Sequence, residues 1–139
     1  MRYLIPEFTG MGDLIQKTPM IRSIRELDVG GTIYLLGDNR WNGLDMVEGS
    51  PFIDGMCNVA DLLGLKFPEN YNNTDISGLY EGMSRSQKNK LSFWVRDIDW
   101  NVFLDSSESD IPPIISRVIE QSGPGTIYRH SDIRRKRLV

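Results

Sequence analysis

Cysteine and histidine are nearly missing from this chain. Among its 139 residues there is one cysteine, Cys57, and one histidine, His130. That excludes an intramolecular disulfide and any multi-cysteine zinc site. Cys57 reads as a small buried hydrophobe suited to a reducing compartment. His130 has no acidic or cysteine neighbours at ligand spacing, so no metal site is expected. Positive charge is not in excess either. The formal net charge is −3, which argues against nucleic acid as the main partner, because neutralising phosphates takes a basic surface. No apolar run nears the roughly 18 residues that read as a membrane span, and no basic segment leading into a long apolar stretch opens the chain. A cytoplasmic protein is the expectation, and in it the Asn72-Asn73-Thr74 pattern is a chance match to a glycosylation site. Internal repeats and heptads are lacking as well.

What is present suits an ordinary globular domain. Hydrophobic residues make up 40% and charged residues 25%. A single domain of this length buries about two-thirds of the surface its unfolded chain exposes, enough for a sheet covered by helices. "RYLIPEF" (2–8) reads as a first strand, with Pro6 tolerable at an edge or strand end but awkward in a central position. Residues 13–27 turn helical, with Leu14, Ile21, Ile24 and Leu27 at three-to-four-residue intervals. Pro19 inside this stretch predicts a kink, or a restart with Thr18 as cap. "GGTIYLLGD" (30–38) has the composition of a strand buried on both faces. "WNGLDMVEGSP" offers a short helix and "FIDGMCNV" a third strand.

Residues 61–96 break this rhythm and read as an excursion of loops and short helices. Alternation then returns with a strand at "WNVFLD" (100–105), a helix at "IPPIISRVIEQSG" (111–123) and a strand at "GTIYRH" (125–130). Strand–helix–strand units in this order predict an α/β fold, a Rossmann-like, mainly parallel sheet with helices on both faces.

In such a sheet ligands bind beyond the carboxyl ends of the strands, so the first strand-to-helix turn, Thr9-Gly10-Met11-Gly12-Asp13, is a privileged position. Gly10 and Gly12 match the start of the dinucleotide fingerprint, but Ile15 holds its third glycine place, and no Gly-Lys-Ser/Thr follows to make a P-loop. Asp13 would also repel a phosphate docking on the helix terminus. A phosphate cradle is therefore disfavoured. Two readings of Asp13 stay open. It fits a helix cap, in a capping-box variant with Gln16. It also fits a general base facing the crevice, where the glycines would let a substrate approach the backbone.

The stretch "YLIPEFTGMGDLIQKTPMIRSIREL", followed by "TIYLLGDNRWNGLDMVEGSPFIDGM", resembles the N-terminal domain of glycosyltransferase family 9, the lipopolysaccharide heptosyltransferases. The shared features are an apolar first strand, a small-residue turn ending in Gly-Asp, a Thr-Pro element inside the first helix, and Gly49-Ser50-Pro51-Phe52-Ile53-Asp54 in place of an "Asn-Pro-Tyr-Ile-Asp"-like segment. The resemblance covers residues 2–59 well and 97–130 loosely. It implies half of a GT-B architecture, in which two Rossmann-like domains face each other across a cleft. It also implies inverting transfer from a nucleotide sugar, ADP-heptose in the heptosyltransferases, to a saccharide or glycolipid acceptor, with no further cofactor. Carried over, Asp13 is the catalytic base. Thr9, Gly10, Met11 and Gly12, with Asp38 and Arg40, are candidate substrate-binding residues. The family's C-terminal, donor-binding domain has no counterpart in these residues. The expectation is a fragment, or a half whose partner is a separate chain, inactive alone. The other reading is a non-catalytic Rossmann-like module that binds a nucleotide or a protein.

Weaker candidates remain. Asp38-Asn39-Arg40-Trp41 follows the second strand at the same rim as Asp13, and Asp38 falls where a dinucleotide fold places its ribose-binding acid. Asp105 closes a strand at that rim. Arg85, Lys88 and Lys90 would pair with acceptor phosphates or form a solvated loop. The basic tail "RRKR" (134–137) would meet anionic lipid in a peripheral membrane contact, or end as a solvated segment.

Overall fold

The computed structural model describes residues 1–105, 111–123 and 125–129; at Met11, Gly12, Asp13 and Arg129 only the backbone is described. His130 and the basic tail lie outside the described residues. Five strands form one parallel sheet: β1 (Arg2–Glu7), β2 (Thr32–Gly37), β3 (Gly55–Asn58), β4 (Val102–Asp105) and β5 (Thr126–Arg129), in the order β3-β2-β1-β4-β5. Helix α1 (Met11–Leu27) follows β1, and α5 (Pro113–Ser122) joins β4 to β5. This is the expected Rossmann-like α/β fold.

Alternation along the strands feeds two cores. Leu4, Leu36, Cys57 and Phe103 face one side, where they meet Val59, Ile76, Leu91, Val95, Ile115 and Ile119. Ile5, Ile33 and Leu35 face the other, against Leu14 and Ile21 of α1. Every strand residue in these two sets is nearly or fully excluded from solvent, as a two-sided parallel sheet requires.

Pro6 sits in the central strand, near its carboxyl end, and the hydrogen-bond parity explains how. Asn101 N–H donates to the Arg2 carbonyl (2.8 Å), and Arg2 N–H donates to Asn101 Oδ1 (2.8 Å). Alternate residues Leu4 and Pro6 therefore also turn their backbone polar groups towards β4. The β1–β4 register covers Tyr3 and Leu4, opposite Val102 and Phe103. Pro6 has no N–H to continue it, and its carbonyl accepts from Lys17 Nζ (2.8 Å) instead. Pairing with β2, on the other side, runs on to Glu7 opposite Gly37.

Several expected boundaries shift. Helix α1 begins at Met11, two residues before the expected start, with Gly10 as its N-cap residue, so Asp13 is not the cap but the third residue of the first turn. The helix runs through Pro19 without a restart, and Thr18 is no cap: its hydroxyl donates to the Leu14 carbonyl (3.2 Å). The short helix after β2 is instead a pair of 3-10 turns, Arg40–Asn42 and Leu44–Val47.

Residues 61–96 are far more ordered than their composition suggests. They hold most of α2 (Val59–Leu63), then α3 (Asn73–Glu81) and α4 (Arg85–Ile98). Two reciprocal capping boxes start the last two, Asn72 with Asp75 and Ser84 with Gln87. Asn72, first residue of the glycosylation-like triplet, thus has a structural task.

Candidate functional site

The turn after β1 is built around a carboxylate that its sequence neighbours conceal. Glu7, 2% exposed, folds back under the turn. Its Oε1 accepts from the Thr9 N–H (3.1 Å), the Thr9 hydroxyl (2.9 Å) and the Gly10 N–H (2.9 Å). Its Oε2 accepts from Lys17 Nζ at 3.0 Å, one turn and a half along α1. Phosphate-binding loops turn their N–H groups to the ligand. Here two of those groups already face an internal anion.

Gly10 then takes φ 101° and ψ −169°, a backbone region open in practice to glycine alone. A methyl group there would also approach Trp41 Cε3 at 3.1 Å. Met11 and Gly12 open the first turn of α1, followed by Asp13, whose side chain lies outside the described residues.

Across the rim, Asp38 and Arg40 are locked to each other and buried, at 2% and 6% exposure. Asp38 Oδ1 accepts from Arg40 Nε (2.9 Å); Oδ2 accepts from Arg40 Nη2 (2.6 Å) and from the Tyr80 hydroxyl (2.7 Å). Arg40 Nη1 reaches Asn73 Oδ1 (3.3 Å), and its guanidinium lies 5.9 Å from the Phe8 ring centre. The cluster ties the end of β2 to α3. Burial pushes the Tyr80 phenol far above its ordinary range, and the Asp38 carboxylate adds to the shift. Burial works against the Arg40 charge, but Asp38 outweighs it and raises the pKa.

Left-handed backbone gathers on the same loop. Asn39, Trp41 and Asn42 have φ of 57°, 48° and 58°. Trp41, 43% exposed, packs at 5.7 Å from Tyr71, which lies 5.2 Å from Phe67. The backbone N–H of Trp41 donates to the Tyr71 hydroxyl (2.6 Å). An aromatic row thus borders the Gly10 turn.

Of the sequence-derived candidates, then, the structure brings Thr9 and Gly10 onto Glu7 and Asp38 onto Arg40. Asp105 ends β4 at the same rim, half-buried. Arg85, Lys88 and Lys90 stand on α4 and not on a loop. Cys57 is buried in the core, and burial pushes its thiol up to about 12. Glu7 and Lys17 escaped notice in the sequence, because an acid after a strand and a lysine in a helix both look like surface residues. Asp54, which closes the Gly-Ser-Pro-Phe-Ile-Asp stretch, accepts from Arg25 Nη2 (2.6 Å) and the Ile33 N–H (2.7 Å). It pins α1 to the start of β2.

Among the described residues no helix is long and apolar enough to cross a membrane, and no cluster of three or more His, Cys, Asp or Glu could hold a metal ion. No protein-family model matches the chain, and no curated protein matches it. Among solved structures it is similar to the glycosyl transferase family 9 protein from Veillonella parvula DSM 2008, with a TM-score of 0.55 and 15% sequence identity over 96% of this chain. The chain spans 33% of the length of that protein. The two share a fold.

Proposed function

We propose that this chain is the acceptor-side half of an inverting glycosyltransferase, moving a heptose-like sugar from a nucleotide sugar to an acceptor hydroxyl, with Asp13 as general base. The observation that carries the reading is the fold shared with a family 9 glycosyl transferase along nearly the whole chain. The occupied Gly10 turn supports the acceptor role, since Glu7 already holds two N–H groups that a donor's phosphates would want.

In the proposed reaction the acceptor oxygen bonds to the anomeric carbon as the bond from that carbon to the diphosphate oxygen breaks. The nucleotide diphosphate leaves with the bonding electrons, and Asp13 takes the hydroxyl proton. Thr9, Gly10, Met11 and Gly12 would present the acceptor to it. Asp38 and Arg40 would act by fixing the rim beside it, because their charges are spent on each other. A positioned base contributes about 100- to 10,000-fold to such a step. The donor would bind in a further domain or a partner chain, so these residues alone would transfer no sugar.

The test is Asp13→Asn in a protein carrying this segment together with its donor-binding part. Transfer should fall by about 100-fold or more, in line with loss of a general base, while thermal unfolding stays nearly unchanged. Undiminished turnover would refute the assignment, and turnover by the purified 139-residue chain would refute its inactivity alone. Micromolar binding of ADP or NAD to this chain by calorimetry would favour the non-catalytic nucleotide-binding module.

A further inference from the structure

Among the described residues the two buried cations, Lys17 and Arg40, and the half-buried Arg25 are matched to acids. Lys17 meets Glu7, Arg25 meets Asp54 and Arg40 meets Asp38. The seam between α4 and α5 gathers cations of another kind, at the surface, with Arg85, Arg96 and Arg117 exposed and Lys88 half-buried. A groove of about 400 Å³ runs along it, lined by Arg85, Lys88 and Arg96 from α4 and Arg117 from α5, with Asn89 and Gln121 among the remaining lining residues. Among the described residues no carboxylate lines the groove, and the ion pairs all lie elsewhere. In a chain of net charge −3, four cations are gathered in one depression.

Their spacing is set by the helix. Residues 85, 88, 92 and 96 recur at three-to-four-residue steps and share one face. Ser92 of that row meets Ser122 of α5 at 3.0 Å between hydroxyl oxygens, which holds the two helices together at the groove. From Arg85 to Arg96 the row extends about 16 Å along the axis. That length accommodates more than one phosphate. The groove continues into a second hollow of about 540 Å³ that shares Lys88, Ile114 and Arg117 and reaches Tyr80, the partner of Asp38. Glu81, on the α3 side of this second hollow, is the one carboxylate lining it among the described residues.

Like charges held close together repel, and the repulsion is relieved by an anion that they can share. Arginine forks suit the paired oxygens of a phosphate, and amide side chains beside them supply further donors. We infer that the α4–α5 groove binds an extended ligand bearing two or more phosphate groups. Lys90, outside the groove on α4, has no part in it. The site lies on the helical layer and its test needs no sugar transfer, so its failure would leave the glycosyltransferase reading untouched.

The probe is inorganic pyrophosphate, titrated into the chain while backbone amide shifts are followed by NMR. Saturable shifts centred on Ser92, Arg117 and Gln121 are expected. Lys88→Ala with Arg117→Ala should weaken binding at least 10-fold with unchanged far-UV circular dichroism, whereas Lys90→Ala should leave it intact. A second arm uses sedimentation with phosphatidylcholine vesicles containing phosphatidylglycerol. Binding to vesicles but not pyrophosphate, lost in the same double variant, would assign the phosphates to lipid headgroups; binding to pyrophosphate alone would assign them to a soluble ligand. No saturable binding in either arm, or equal weakening by Lys90→Ala, would overturn the site.

Discussion

Glu7 and Lys17 meet at 3.0 Å inside the protein, 10 residues apart in sequence, and between them they hold the turn that opens α1. The lysine neutralises the carboxylate from below while the carboxylate takes the turn's amides from above. Removing either partner leaves the other charged and buried, a situation that costs about 3–5 kcal/mol. Lys17→Ala should therefore lower stability by about that much in urea unfolding. A loss under about 1 kcal/mol would show that the pair is not buried as described.

Gly10 should tolerate no side chain. With φ at 101° and Trp41 Cε3 at 3.1 Å from a would-be methyl group, Gly10→Ala meets backbone strain and a contact together. A destabilisation of about 1–3 kcal/mol is expected, with a shift in tryptophan emission as the half-exposed Trp41 ring gives way. Unchanged stability and emission would contradict the geometry.

The cluster at the end of β2 should respond unequally to its parts. Asp38→Ala strands the buried Arg40 charge and should cost about 3–5 kcal/mol. Tyr80→Phe removes one hydrogen bond to Asp38, which keeps its bonds to Arg40, and should cost about 1–2 kcal/mol. Denaturant midpoints of the two variants, ranked in the opposite order, would sink this account.

Cys57 should be silent to thiol reagents at pH 8 in the native state and react fully in denaturant. Its folded pKa, pushed up to about 12 by burial, exceeds the ordinary value of 9.0. The folded chain thus keeps a proton that the unfolded chain releases. This contribution to stability is complete below pH 9.0 and is lost as pH rises through about 12. Cys57→Ala should flatten stability against pH in that window; an unaltered slope would speak against a buried thiol.

How much of this was legible in the sequence depended on whether an element announced itself locally. β1, β2 and α5 carry strong apolar patterns, and the Gly-Asp turn stands out by its glycines. Helix α4 did not, because Leu91 and Val95 are its buried residues among fourteen and the rest is largely Arg, Lys, Ser, Gln and Asn. The readable signals for α3 and α4 are the capping pairs Asn72–Asp75 and Ser84–Gln87, which depend on spacing and not on hydrophobicity. Asp38 and Arg40 were visible as rim residues, but nothing local says that Tyr80, 42 residues on, completes their bonding. The Glu7–Lys17 link likewise exists only once α1 folds back along β1.

Pro6 offers a last lesson. A residue that cannot donate stands where the middle strand would otherwise zip onward to β4, and its carbonyl is taken by Lys17. The parting of these neighbours is therefore written into covalent structure and owes nothing to an incoming molecule. The β1–β4 ladder thus stops beyond Leu4 and Phe103 by the chain's own chemistry, whether or not anything binds at that end of the sheet.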